Sequence, residues 1–205
     1  ADMNFGVADG QIRDMLAEQK SPENKWRMEN MTTNMNFDSF LSIATEKTSS
    51  LIKCGTEGGA FIAGADPEVR KAMEEYGHQF GITYQIRDDI LDFQGNESDM
   101  GKAPGQDIRD GKLSNIMIAS TLRYLEAKDD EKAEKFYDIL AKPEKSEEDV
   151  QEGMSIMEET IAKEKSLNLL ERHAEEAYDQ LKVLPDSQWK DYLEDLLEYN
   201  VERTK

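Results

Sequence analysis

The sequence is most informative first in what it lacks. It has one cysteine in 205 residues, Cys54. That excludes an intrachain disulfide and any metal site built from paired thiolates, and it leaves Cys54 as an expected small, buried apolar residue. Histidines number two. His78 has no second ligand near it in sequence and reads as a packing or surface residue. No run of about 18 apolar residues occurs, so no membrane span is expected. No secretory leader, internal repeat or low-complexity tract is visible. Cations are scarce: 25 Lys and Arg stand against 44 Asp and Glu, a formal net charge of −19. A chain this acidic is a poor electrostatic partner for nucleic acid or an anionic membrane surface. The same charge fits a highly soluble, cytoplasmic protein. Sustained period-two alternation is absent as well, so the fold class expected is all-α.

Hydrophobic residues are 38% and charged residues 34%. At this length the chain is one domain, or most of one. Residues 1–20 read as a helix, with Val7, Ile12, Met15 and Leu16 on one side. The polar stretch 21–36 reads as a loop. A helix is expected from about 36–39, where capping residues precede Phe40, Ile43 and Leu51. Gly55, Gly58, Gly59 and Gly64 follow at close intervals and suggest close helix packing at the centre of a bundle. Asp66-Pro67-Glu68 is a helix start: a capping acid, proline at the first position, then a second acid. Residues 95–111 read as a loop. Further helices are expected from Leu113 to about Lys128, over 129–141, from the Ser146 capping sequence through Leu184, and after Pro185-Asp186-Ser187. The last carries an expected stripe of Trp189, Leu193, Leu196, Leu197 and Val201.

The helix that starts at Asp66 leads into Asp88, Asp89 and Asp92. Asp88 and Asp92 are four residues apart and face the same way. Like charges so placed disfavour an isolated helix by roughly 0.2–0.5 kcal/mol per pair. Ile86, Ile90, Leu91 and Phe93 surround them, so the segment should pack in a core, where carboxylates need partners or a cation. Mg²⁺ is such a cation: it takes one or two carboxylates, keeps waters and shares its shell with phosphate oxygens. Lys102 and Lys112 downstream can supply positive charge to the same phosphates.

The composite Tyr84-Gln85-x-x-Asp88-Asp89-x-x-Asp92, then Gly101-Lys102, Asp107 and Lys112, resembles the second aspartate-rich motif of the trans-isoprenyl diphosphate synthases, the polyprenyl synthetases. Lys47-Thr48 resembles that family's Lys-Thr motif and Gly10-Gln11-x-x-Asp14 its GQ-x-x-D motif. The ending, with Leu181, Leu184-Pro185 and Arg203, is similar to its C-terminal helices. The resemblance implies an antiparallel helical bundle round a central cavity, with 1–205 as a single partial domain whose N-terminal helices are absent from this chain. It implies Mg²⁺-dependent, head-to-tail joining of an allylic prenyl diphosphate to isopentenyl diphosphate, in a homodimer. Asp88 would be the main Mg²⁺ ligand, with Asp89 and Asp92 assisting through water. Lys47, Lys102 and Lys112 would hold diphosphate, Thr48 and Gln85 would line the reacting end, Tyr84 would stand near the alkene, and Gln11 and Asp14 would line the allylic pocket.

The family's first aspartate-rich motif has no counterpart in residues 1–83. The resemblance therefore implies a chain that does not turn over by itself and is completed by further sequence or by a partner. The alternative is a catalytically incompetent helical subunit that pairs with an active synthase. A terpene cyclase fits less well, because the Lys-Thr and Gly-Lys…Asp…Lys elements suit chain elongation. Lys112-Leu113-Ser114-Asn115 also departs from the family's usual K-x-TLP.

Overall fold

The computed structural model describes residues 2–18, 37–94 and 103–204. Among these the protein is all-α. Its elements are α1 (Asp2–Leu16), α2 (Phe37–Ala44), a π-helical turn (Thr45–Ser49), α3 (Ser50–Ile62), α4 (Pro67–Gln94), α5 (Gln106–Asp110), α6 (Ile116–Glu126), α7 (Asp130–Ala141), α8 (Glu147–Glu158), α9 (Ala162–Leu181) and α10 (Gln188–Glu202). Extended pairing among the described residues is one isolated antiparallel bridge, Glu18 with Lys112. No described helix is long and apolar enough to cross a membrane. The expected loop at 21–36 lies outside the described residues, as do Gly101 and Lys102.

The chain divides into two compact units. The first comprises Ala1–Gln11, Ser42–Arg87 and Asn168–Arg203; the second comprises Ile12–Leu41, Asp88–Leu167 and Thr204–Lys205. In the first, Met73, Tyr76 and Phe80 of α4 pack with Ala174, Ala177 and Leu181 of α9 and Leu197 of α10. Burying a large apolar side chain of this kind contributes about 1.5–3 kcal/mol. Two side-chain hydrogen bonds cross this core. Tyr76 Oη donates to Leu193 O at 2.9 Å, and Asn200 Nδ2 donates to Thr83 Oγ1 at 3.0 Å. The second unit buries Ile90, Leu91, Ile108, Met117, Leu122, Phe136, Leu140 and Val150.

Most helix starts fall where the capping residues place them. Ser146 and Asp149 form the reciprocal capping box, Asp129 accepts from Lys132 N, and Ser187 accepts from Lys190 N. Elsewhere local hydrogen bonding shifts the expected bounds. The helix expected from Leu113 starts at Ile116, because Asn115 caps it by accepting from Met117 N and Ile118 N. The helix expected to run on through Leu184 is broken at Thr160, whose hydroxyl donates to Met157 O at 2.8 Å and accepts from Ala162 N at 3.2 Å. Within the expected loop, Gly105 and Gly111 are left-handed (φ 80° and 63°) and bracket the single turn of α5.

Three expectations are corrected. Cys54 is exposed rather than buried. The clustered glycines are not the close-packing ones: a Cβ at Gly55, Gly58, Gly59 or Gly64 would meet open space among the described residues. Close approach falls instead to Gly77 and Gly81 on α4, where a Cβ would lie 2.7 Å from Lys53 Cα and 2.7 Å from Ser49 Cβ, respectively. Finally, the apolar stripe of α10 is only partly inward: Leu197 is buried, whereas Trp189 and Leu196 are exposed.

Candidate functional site

In the first unit, α3 is preceded by the π-turn that carries Lys47 and Thr48. The Ser50 N–H reaches back five residues to Thr45 O, and the Ser50 hydroxyl donates to Glu46 O at 2.5 Å. The side chain thus bonds the carbonyl that an α-helical turn would pair with the Ser50 N–H. Lys47 and Thr48 open onto a cavity of about 670 Å³ that Gln11, Leu51, Ile52, Phe80 and Tyr84 also line. Lys47 is the charged member of an otherwise uncharged lining. Thr48 Oγ1 donates to Gln85 Oε1 at 3.1 Å. Five predicted residues are therefore gathered here: Gln11, Lys47, Thr48, Tyr84 and Gln85.

Tyr84 is fixed from the C-terminus of the chain. The Arg203 guanidinium lies over its ring at 4.4 Å and donates to Tyr84 O at 3.3 Å. Arg87 in turn donates to Arg203 O from Nε at 2.8 Å and Nη2 at 2.6 Å. The role of Arg87 had no sequence signal, because its partner lies 116 residues away.

The second unit holds the aspartates. Asp88 is half-buried, whereas Asp89 and Asp92 are buried. Asp89 Oδ2 accepts from Ile116 N at 2.7 Å, and Asp92 Oδ2 accepts from Asp107 N at 3.0 Å. Both carboxylates thus orient the chain that follows them. Lys112 Nζ stands 3.5 Å from Asp107 Oδ1 and 3.9 Å from Asp14 Oδ2. Burial disfavours the charge on Lys112, but Asp107, Asp89 and Asp14 outweigh it and hold its pKa above the ordinary lysine value. Asp14 also accepts from Ser114 Oγ at 2.5 Å, and Asp107 accepts from Asn115 Nδ2 at 2.7 Å. Asp14 is thus drawn into the network of the second unit, while Gln11 lines the cavity of the first. Ser114 and Asn115 belong to this network too. Asn115 was findable as a capping residue before an apolar run; Ser114 was not.

Whether these residues suit a cation depends on the donors they leave. Among the described residues, no group of three or more His, Cys, Asp or Glu side chains is arranged to hold a metal ion. An all-protein cage is therefore not what they build. Half-buried Asp88, beside two carboxylates that each give one oxygen to a backbone amide, suits a hard cation that takes one or two carboxylates and completes its shell with water and substrate oxygens. Mg²⁺ behaves in this way.

Residues 1–157 match the family model described as polyprenyl synthetase. A short chain isoprenyl diphosphate synthase of Methanocaldococcus jannaschii is 30% identical over 155 residues, 76% of this chain and 42% of that protein. A geranylfarnesyl diphosphate synthase of Aeropyrum pernix is 32% identical over 201 residues, 97% of this chain and 57% of that protein. Among solved structures, a geranylgeranyl pyrophosphate synthase from Corynebacterium glutamicum, complexed with isoprenyl diphosphate and magnesium, superposes with a TM-score of 0.84. It is 26% identical, and the match covers 98% of this chain and 53% of that one. A decaprenyl diphosphate synthase from Rhodobacter capsulatus gives 0.82 at 25% identity, covering 100% and 58%. The chain spans about half the length of the relatives it matches.

Proposed function

This chain belongs to the polyprenyl synthetase family, and we propose that it forms part of a transferase that lengthens prenyl diphosphates. The reaction is head-to-tail. The allylic C–O bond breaks, and the electron pair leaves with diphosphate. The alkene of isopentenyl diphosphate forms a C–C bond to the allylic carbon, and the proton lost from the isopentenyl unit passes to the released diphosphate. The observation that carries this reading is the cavity with Lys47 in a largely apolar lining: a hydrocarbon tail suits its walls, and an anionic head suits its ammonium.

Lys47 holds the diphosphate, with Lys102 beside it in role. Lys112 joins them only in exchange for Asp107 and Asp14. The Thr48 hydroxyl and Gln85 carbonyl oxygens present partial negative charge toward an electron-poor carbon, and Tyr84 borders the alkene. Gln11 lines the prenyl tail. Asp88, assisted by Asp89 and Asp92, would hold Mg²⁺, which would supply positive charge for the departing diphosphate. The protein is read as a cytoplasmic homodimer and residues 1–205 as a single partial domain. Because residues 1–83 contain no first aspartate-rich motif, these 205 residues are not expected to turn over alone. The same observation favours a second reading, a non-catalytic subunit that pairs with an active synthase.

Substituting Asp88→Ala in the assembled protein should lower turnover of an allylic diphosphate with isopentenyl diphosphate by about 100-fold or more. Near wild-type turnover in that variant would exclude the first reading. Activity that appears only with a separate chain, and is indifferent to Asp88→Ala, would establish the second.

A further inference from the structure

The π-turn at Thr45–Ser49 is held from two sides by glycine. On α1, a Cβ at Gly10 would lie 2.9 Å from Glu46 C and closer still to Lys47 N. On α4, a Cβ at Gly81 would lie 2.7 Å from Ser49 Cβ and closer still to Ser49 Cα. These contacts reach the backbone at both ends of the turn, so no side chain can move aside to admit a methyl group. Gly10 and Ser49 are buried. The Ser50 hydroxyl, through its 2.5 Å bond to Glu46 O, satisfies a carbonyl that an α-helical turn would give to the Ser50 N–H. A π-turn holds one residue more than an α-turn. Its collapse to α geometry would rotate the residues on one side by about 100° relative to those on the other. Lys47 and Thr48 sit within it, and such a rotation would remove Thr48 from Gln85.

We infer that Gly10, Gly81 and the Ser50 hydroxyl are positioning residues. They keep the helix open as a π-turn and thereby fix the Lys47 ammonium and Thr48 hydroxyl in the cavity. The inference rests on the reading of Lys47 and Thr48 as substrate-binding groups. It gives Gly10 a reason to be glycine that the neighbouring Gln11 does not share: α1 must approach the backbone of the turn.

The test compares Gly10→Ala, Ser50→Ala and Ser50→Thr, with Gly55→Ala, on α3 with Ser50, as control. Each variant is assayed in the assembled protein with dimethylallyl, geranyl and farnesyl diphosphate, and thermal midpoints are recorded alongside. The expected result is a rise of at least fivefold in KM for the allylic diphosphate in Ser50→Ala, with KM for isopentenyl diphosphate little changed. Ser50→Thr, which keeps the hydroxyl, should restore it. Gly10→Ala should show a larger rise together with a lower midpoint, and Gly55→Ala should show neither. A residue needed only for packing would lower the midpoint and leave the allylic KM of the folded enzyme alone. That outcome, or a wild-type KM in Ser50→Ala, overturns the inference. If Gly10→Ala does not fold, the two Ser50 variants still decide it. Lys47→Ala separates the two levels: unchanged turnover there removes the functional reading itself, whereas lost turnover there with unchanged KM in Ser50→Ala removes only the positioning role.

Discussion

Lys112 is the residue whose surroundings say most beyond its identity. The family resemblance implies a cation near diphosphate here, yet its side chain is largely buried among Asp107, Asp14 and Asp89. Removing it leaves carboxylates buried without their countercharge, a change that typically costs about 3–5 kcal/mol. Lys112→Met should therefore destabilise the protein by roughly 3 kcal/mol. Asp14→Asn in that background should return about 1 kcal/mol, a coupling that a double-mutant cycle in denaturant would measure. Strict additivity of the two changes would show that the pair is not coupled. Neither partner could have been assigned to the other from sequence, because 98 positions separate them and a salt bridge leaves no periodic trace.

At the scale of the element, glycine shows how far composition can mislead. Gly55, Gly58 and Gly59 form the denser cluster, yet they leave open space among the described residues. Gly77 and Gly81 are spaced by four on one helix, which puts both on the face of α4 that meets the backbone of α3 and the π-turn. Gly81→Ala should overpack that contact and cost about 1–3 kcal/mol, seen as a lower thermal midpoint. Gly55→Ala meets no atom and should be neutral, or stabilising by up to about 1 kcal/mol through helix propensity. Equal midpoints for the two variants would contradict the packing assigned to Gly81. The capping residues behave differently, because their effect is local. Ser146, Asp129 and Ser187 were legible from sequence, while Thr160 was hidden in a helical pattern that continues on both sides of it.

At the scale of the whole molecule, a histidine that the sequence left unread should contribute to the loss of stability in acid. His173 is buried in the first unit, with Nδ1 2.6 Å from Gln79 Oε1. Burial, then Arg172 and His78, depress its pKa to about 4 against a small opposing effect of Glu75. The folded state therefore prefers the neutral ring. Stability from this source is fully present above the ordinary value of 6.5 and is lost as pH falls from 6.5 towards 4. The loss should be on the order of 1–3 kcal/mol. His173→Gln should flatten stability against pH across that window, and an unchanged slope would rule the histidine out. The sequence by itself determined the all-α class, most helix starts, the family and the residues that carry its motifs, because helical period, caps and motif spacing are local properties of a chain. Only the tertiary structure decided that Asp14 and Lys112 face each other, that Cys54 is exposed, that Gly10 and Gly81 hold a π-turn, and that Thr48 bonds Gln85. Each of these depends on which helix surfaces meet, and a close approach between distant segments has no period along the chain.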